Sequence, residues 1–313
     1  MSGRAEMDKK NDKWINERKG KCSQFVSDYI DSIDGVKTSA TRKQYLYYLM
    51  DFEKYIKKLN VDICKVKPFH VEKYRNCLTK NGNKASIVNG KLSAIISFYN
   101  FLIKNGFVDK NPCDNDMKLK IAEKESVVYM TDEEIHKLKE NIVSCKNRHS
   151  DRFVLRDLCI VQLGCATGLR VSAIVNIDID DIDFEQMTIK VVEKGNKVRT
   201  IYIGENTVNS IKNWLKERVI TVRNKEERAL FIGNHGGRMS ASAVRNLLKH
   251  DAGEFGKHIT PHKMRSTCAM KLYDKTGDIY LTAQQLGHAN VKNTMIYAKA
   301  TEEKRRMAAD LLD

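Results

Sequence analysis

The sequence predicts a mainly α-helical protein with one small antiparallel β-sheet, divided into an all-helical N-terminal domain and a mixed α+β C-terminal domain. Three observations carry this. The chain has 313 residues, more than the roughly 100–200 of a usual single domain. Apolar residues recur at three- and four-residue spacing through residues 22–106, the period of a helix face. The strongest strand signal is Gly195-Asn196 between two runs of alternating β-formers, which reads as a hairpin.

Taken in order, residues 1–20 are charged and lack apolar periodicity, and they predict a flexible arm. Residues 21–111 predict a helical module. Tyr45, Leu49, Phe52 and Ile56 form one stripe, and Val88, Leu92, Ile95, Ile96, Tyr99, Leu102 and Ile103 form another. Polar breaks at 34–38, around Pro68 and at 81–84 cut this module into about four helices. Lys80, Lys84 and Lys91 lie within it as candidate contacts to a polyanion, although isolated lysines are more often only solvated.

Pro112 ends the last of these helices, and residues 112–130 read as a connector. Thr131 and Glu134 have capping-box spacing and open the second domain, 131–298. Its first part predicts a helix at about 152–166 and strands at 187–192 and 198–203. A helix follows with Val208, Ile211, Leu215 and Val219 on one face. Residues 299–313 predict a tail helix, with Glu302 and Glu303 in its first turn and Met307, Ala308 and Leu311 as an apolar stripe.

Lysine and arginine number 55 against 40 acidic residues, a formal net charge of +15. Such an excess points to a polyanionic partner, whether DNA, RNA or an anionic membrane. No apolar run approaches the ~20 residues that cross a bilayer, and the N-terminus has no apolar signal core, so a cytoplasmic protein is expected. The eight cysteines include no CxxC pair, which suggests reduced core residues and neither a zinc module nor a disulfide framework.

Five short segments of the second half hold side chains suited to phosphoryl transfer. Residues 166–170, ATGLR, end a helix at Gly168 and present Arg170, whose guanidinium can hold two phosphate oxygens. Taken alone, such an arginine more often pairs with an acidic neighbour. Residues 194–197, KGNK, put Lys194 and Lys197 on the hairpin turn, where a lysine can protonate a leaving oxygen. Arg199 follows on the second strand as a further candidate DNA contact.

Residues 262–265, HKMR, come directly after Pro261, a residue suited to open a helix, and the three-residue spacing puts His262 and Arg265 on one face. His258 and His262 have HxxxH spacing, but Pro261 between them and the want of a third ligand argue against a metal. His288 lies in LGH and Tyr297 in NTMIYA. Nine residues of continuous helix would place these two on opposite faces, so they share a site only if the helix breaks within 287–292.

Together and in this order, ATGLR, KGNK, HKMR, LGH and the closing tyrosine resemble the signature of the tyrosine recombinase or phage integrase family, especially its Xer-like members. The resemblance is specific over about residues 160–299. It implies the tyrosine recombinase fold, a helical core-binding domain at 21–111 that clamps DNA with the catalytic domain, and a covalent 3′-phosphotyrosyl intermediate. It also implies Tyr297 as nucleophile, Arg170 and Arg265 as phosphate-binding arginines and Lys194 as general acid, a role that Lys197 fits less well. His262 matches the histidine that manages the nucleophile's proton, and His288 matches the donor to the phosphate. Ala173 stands where the family usually has an acidic residue, and Ser266 where it often has histidine.

A tyrosine hydroxyl, with an ordinary pKa of about 10, needs cationic surroundings to react at neutral pH. Because the phosphotyrosyl bond conserves the energy of the broken ester, neither nucleotide nor metal cofactor is expected. The resemblance further implies double-stranded DNA with short, roughly palindromic core sites, a homotetramer on that DNA joined by exchange of the tail helix, room for an accessory recombination protein, and no membrane. Three other readings stay open on the residues: a type IB topoisomerase, a catalytically silenced DNA-binding protein of the same fold, and an RNA-binding protein.

Overall fold

The computed structural model describes residues 3–121, 127–144, 153–192, 198–222, 227–253, 259–288, 290–298 and 309–310. The chain divides into two compact units, Met1–Glu123 and Lys124–Asp313, each with its own apolar core.

The first unit is helical, as its periodicity predicts. Its helices are α1 (Gly3–Lys19), α2 (Gln24–Ser32), α3 (Ser39–Lys58), α4 (Pro68–Lys80) and α5 (Ala85–Lys104). Each of the three predicted breaks separates two helices. Ser23 and Thr38 cap α2 and α3 by accepting from Val26 and Thr41 N–H groups, and Pro68 opens α4, where its missing N–H costs nothing. Leu49, Phe52, Ile56, Val88, Leu92, Ile95, Tyr99 and Leu102 are all buried. Among the described residues α5 alone is long and apolar enough to cross a membrane, contrary to the expectation that no such stretch occurs; its buried face is the centre of this unit's core.

Where a loose arm is expected, α1 is an ordered helix. Ile15 is fully buried, Asn11 donates to Ser39, and Arg42 pairs with Asp12 at 3.3 Å. One buried isoleucine with polar partners leaves no apolar period for a sequence to display. The expected connector is also held at its start, where Asn89 binds both the N–H and the carbonyl of Leu119.

In the second unit Thr131 and Glu134 form the predicted reciprocal cap at the start of α6 (Asp132–Ser144). α7 (Val154–Thr167) leads into the short α8 (Val171–Asn176). The sheet has the order β1 (Ile182–Asp183), β2 (Thr188–Val192), β3 (Val198–Tyr202), all antiparallel. Only the β2–β3 hairpin is signalled in sequence, since a two-residue strand carries no alternation. The helices α9 (Glu205–Thr221), α10 (Ala241–Gly253), α11 (Pro261–Thr276) and α12 (Ile279–Leu286) complete the unit.

The inward face of α9 differs from the expected one. Val208 and Ile211 are buried, but Val219 is 74% exposed, and Trp214 and Arg218 take its place. Trp214 donates to the Leu230 carbonyl and Arg218 to those of Ala229 and Glu227, so polar hydrogen bonds decide which way the last turns face. The expected tail helix at 299–313 lies outside the described residues except for Ala309 and Asp310, and Cys145 lies outside them as well.

Candidate active site

Helix ends bring three of the predicted side chains, Arg170, His262 and Arg265, to one cavity. α7 stops at Gly168, which has φ +64°, a conformation that L side chains rarely adopt. A Cβ there would also lie 2.6 Å from Leu286 Cδ2, so glycine is required twice over. The turn delivers Arg170 as the N-cap of α8, with its side chain exposed. Ala173, three residues on, is buried inside α8.

Thr260 caps α11 by accepting from Lys263 N–H, and Pro261 occupies the first turn, as the sequence predicts. His262 is exposed, while Arg265 is only 4% exposed and Ser266 is buried. Arg265 donates to the Gly168 carbonyl at 2.6 Å and to the Leu286 carbonyl at 2.7 Å. One guanidinium thus joins the segment that carries Arg170 to the segment that carries His288. A planar fork suits this bridge, and an ammonium group could not reproduce it.

Arg170, His262 and Arg265 line one cavity of about 600 Å³. Arg245, Asn246 and Lys249 of α10 line its other side, and no carboxylate is among the described lining residues. Four cationic side chains around one cavity favour a polyanionic occupant such as a phosphodiester. The α10 residues belong to no recognisable motif; their only signal is that Arg245 and Lys249, four apart, share a helix face.

α12 ends at Gly287, with φ +65°, so the helix breaks inside 287–292 as the shared-site argument requires. His288, partly buried, follows at once, and its Nδ1 lies 2.8 Å from Thr294 Oγ1. Tyr297 sits on the 3-10 turn Met295–Ala298, 5% exposed, and packs with Ala269 and Leu286. Its N–H donates to the Thr294 carbonyl at 2.9 Å.

Two expected DNA contacts are placed otherwise. Lys91 is buried and bonds Asp51 at 2.5 Å, with Tyr74 on the same carboxylate oxygen. Burial alone would raise the Asp51 pKa, but the bonds from Lys91 and Tyr74 outweigh it and hold the carboxyl below its usual value. Arg199 shares the inward face of β3 with Ile201 and donates to the carbonyls of Gln284 and Gln285 at 2.8 and 2.9 Å. It therefore satisfies the C-terminal carbonyls of α12, the helix that leads to His288. Lys80 and Lys84 are exposed, Lys84 as the N-cap of α5. Lys194, Lys197 and His258 lie outside the described residues.

Comparison with known proteins finds relatives of both units. Residues 127–304 match the phage integrase family, and residues 26–106 match the phage integrase N-terminal SAM-like domain. The tyrosine recombinase XerC of Thermodesulfovibrio yellowstonii is 30% identical over 80% of this chain and 83% of its own length. XerC of Pediococcus pentosaceus is 28% identical over 86% and 91%. Among solved structures, the Tn1549 transposon integrase in complex with transposon right end DNA is similar, with a TM-score of 0.72 and 19% identity over 93% of this chain and 99% of that one. XerH bound to its difH substrate has a TM-score of 0.68 at 20% identity, covering 88% and 80%.

The chain belongs to the phage integrase family. Its activity is that of a tyrosine recombinase, the site-specific breaking and rejoining of DNA. The topoisomerase and silenced-protein readings are not favoured.

Proposed function

We propose that Tyr297 is the nucleophile of this reaction. Its hydroxyl oxygen attacks the scissile phosphorus and the bond to the 5′ oxygen breaks, leaving a 3′-phosphotyrosyl link and a free 5′ hydroxyl. Arg170, Arg265 and His288 offset the charge that builds on the phosphate oxygens. His262 takes the phenol proton, and Lys194, assigned by its motif alone, protonates the departing 5′ oxygen. The 5′ hydroxyl of a second site then attacks the phosphotyrosyl bond and releases Tyr297. One phosphodiester replaces another, so the exchange needs neither nucleotide nor metal cofactor.

The observation that carries this reading is the cavity shared by Arg170, His262 and Arg265, with Arg265 also bonded to the Leu286 carbonyl, two residues before His288. Double-stranded DNA with short, roughly palindromic core sites is the substrate, and Lys80, Lys84, Lys197, Arg245 and Lys249 contribute phosphate contacts. The working unit is a homotetramer on DNA joined by exchange of the tail at residues 299–313, with room for an accessory recombination protein. It acts in the cytoplasm, away from membranes.

A nicked suicide substrate carrying candidate sites tests the chemistry, scored for a denaturation-resistant protein–DNA adduct without added metal or nucleotide. The wild type should form the adduct and Tyr297→Phe should bind the site without forming it. An adduct that persists in Tyr297→Phe would refute the assignment.

A further inference from the structure

We infer that Thr294, which none of the five signature segments singles out for chemistry, is a positioning residue for the recombination site, holding His288 and Tyr297 in one fixed relation. The inference rests on the proposed roles of those two residues. Thr294 is fully buried. Its hydroxyl lies 2.8 Å from His288 Nδ1, its carbonyl accepts the Tyr297 N–H at 2.9 Å, and its own N–H donates to the Val291 carbonyl at 2.7 Å. The backbone of His288 is held in turn by the Ala283 carbonyl at 3.0 Å. One residue therefore grips the imidazole with its side chain and the nucleophile's turn with its main chain.

The chemistry of the hydroxyl gives this grip a direction. A threonine hydroxyl both donates and accepts. When it donates to Nδ1, the neutral imidazole carries its proton on Nε2, and the ring offers that N–H to an anionic phosphate oxygen without first taking up a proton. At metal sites, neighbours that fix the tautomer and rotation of a ligating histidine cost about 10–100-fold when removed, and a histidine that must aim one N–H at a phosphate oxygen depends on its orientation in the same way. Valine keeps the shape of Thr294 and its main-chain bonds but leaves Nδ1 facing a methyl group, so the ring turns to find another partner.

The test is a double-mutant cycle in single-turnover cleavage of the suicide substrate. Thr294→Val should slow adduct formation about 10–100-fold with DNA binding and melting temperature close to wild type, and Thr294→Ser should restore most of the rate. In a His288→Ala background Thr294→Val should add no further loss, because the residue acts through the histidine. In the DNA-free protein, Thr294→Val should shift the His288 imidazole 15N resonances, identified by their loss in His288→Ala, and Thr294→Ser should not. Cleavage by Thr294→Val at the wild-type rate, losses that multiply with His288→Ala, or unmoved His288 resonances would each overturn the inference. A wild type that forms no adduct at Tyr297 would instead refute the proposed chemistry, and the resonance comparison decides the Thr294 contact independently of that outcome.

Discussion

Lys91 and Lys84, seven residues apart, have opposite fates. Lys91 is buried against Asp51, while Lys84 is exposed at a helix N-terminus that also suits phosphate. Lys80→Ala and Lys84→Ala should each lower the slope of log affinity against log salt by about one. Lys91→Ala should leave that slope unchanged and destabilise the fold by about 1 kcal/mol, because it strips one partner from a half-exposed carboxylate that keeps its bond from Tyr74. Because the folded pKa of Asp51 lies below its ordinary 3.8, this stabilisation is present above about pH 4 and is lost as pH falls through the lower folded value. Chemical denaturation of both proteins from pH 7 to pH 2.5 should show the gap closing. Arg170, His262 and Arg265, which line one cavity, were legible because motif order fixes their types and spacing. The Lys91 pairing was not, since its partner lies 40 residues away, and Thr294 reads in isolation as an ordinary polar residue before a tyrosine.

Among the elements, the ends of α7 and α12 meet at the Arg265 guanidinium, and small changes there should reach the chemistry. Gly168→Ala introduces a Cβ where φ is positive and Leu286 is 2.6 Å away. It should cost about 1–3 kcal/mol and slow cleavage by displacing the end of α12. Arg199→Ala removes the donors to Gln284 and Gln285 and should slow cleavage while leaving DNA affinity nearly unchanged. If Arg199 were instead a phosphate contact, its loss would weaken binding and reduce the salt slope. Helix breaks, the hairpin and the capping box could be read ahead of the structure because local residues dictate them. Arg199, expected as a DNA contact, instead faces inward with Ile201, and its partners at Gln284 and Gln285 lie 85 and 86 residues away. α1 and the outward turn of Val219 were illegible because distant polar partners determine both.

For the whole molecule, the net charge of +15 overstates what is available to DNA. Arg156, Arg199, Arg218, Arg238 and Arg265 all donate to main-chain carbonyls, so part of the basic excess fastens the second unit together. The cysteines show a comparable inward use. Burial pushes the thiols of Cys113, Cys159 and Cys165 up to about 12 and those of Cys22 and Cys268 to about 11. Since the thiolate is the reactive form, iodoacetamide at pH 8 should leave these five unmodified in the native protein and label them after unfolding. Mass spectrometry of the alkylated peptides checks this, and rapid native labelling of Cys165 or Cys268 would contradict the packing behind the active site.

Whether Tyr297 carries the DNA is decided by mapping the attachment. Wild-type protein trapped on a suicide substrate is digested with trypsin and nuclease, and the nucleotide-bearing peptide is sequenced by mass spectrometry. The phosphonucleotide should be found on Tyr297 within residues 293–299, the only tyrosine of that peptide. Attachment to Tyr273, Tyr280 or any other residue would contradict it.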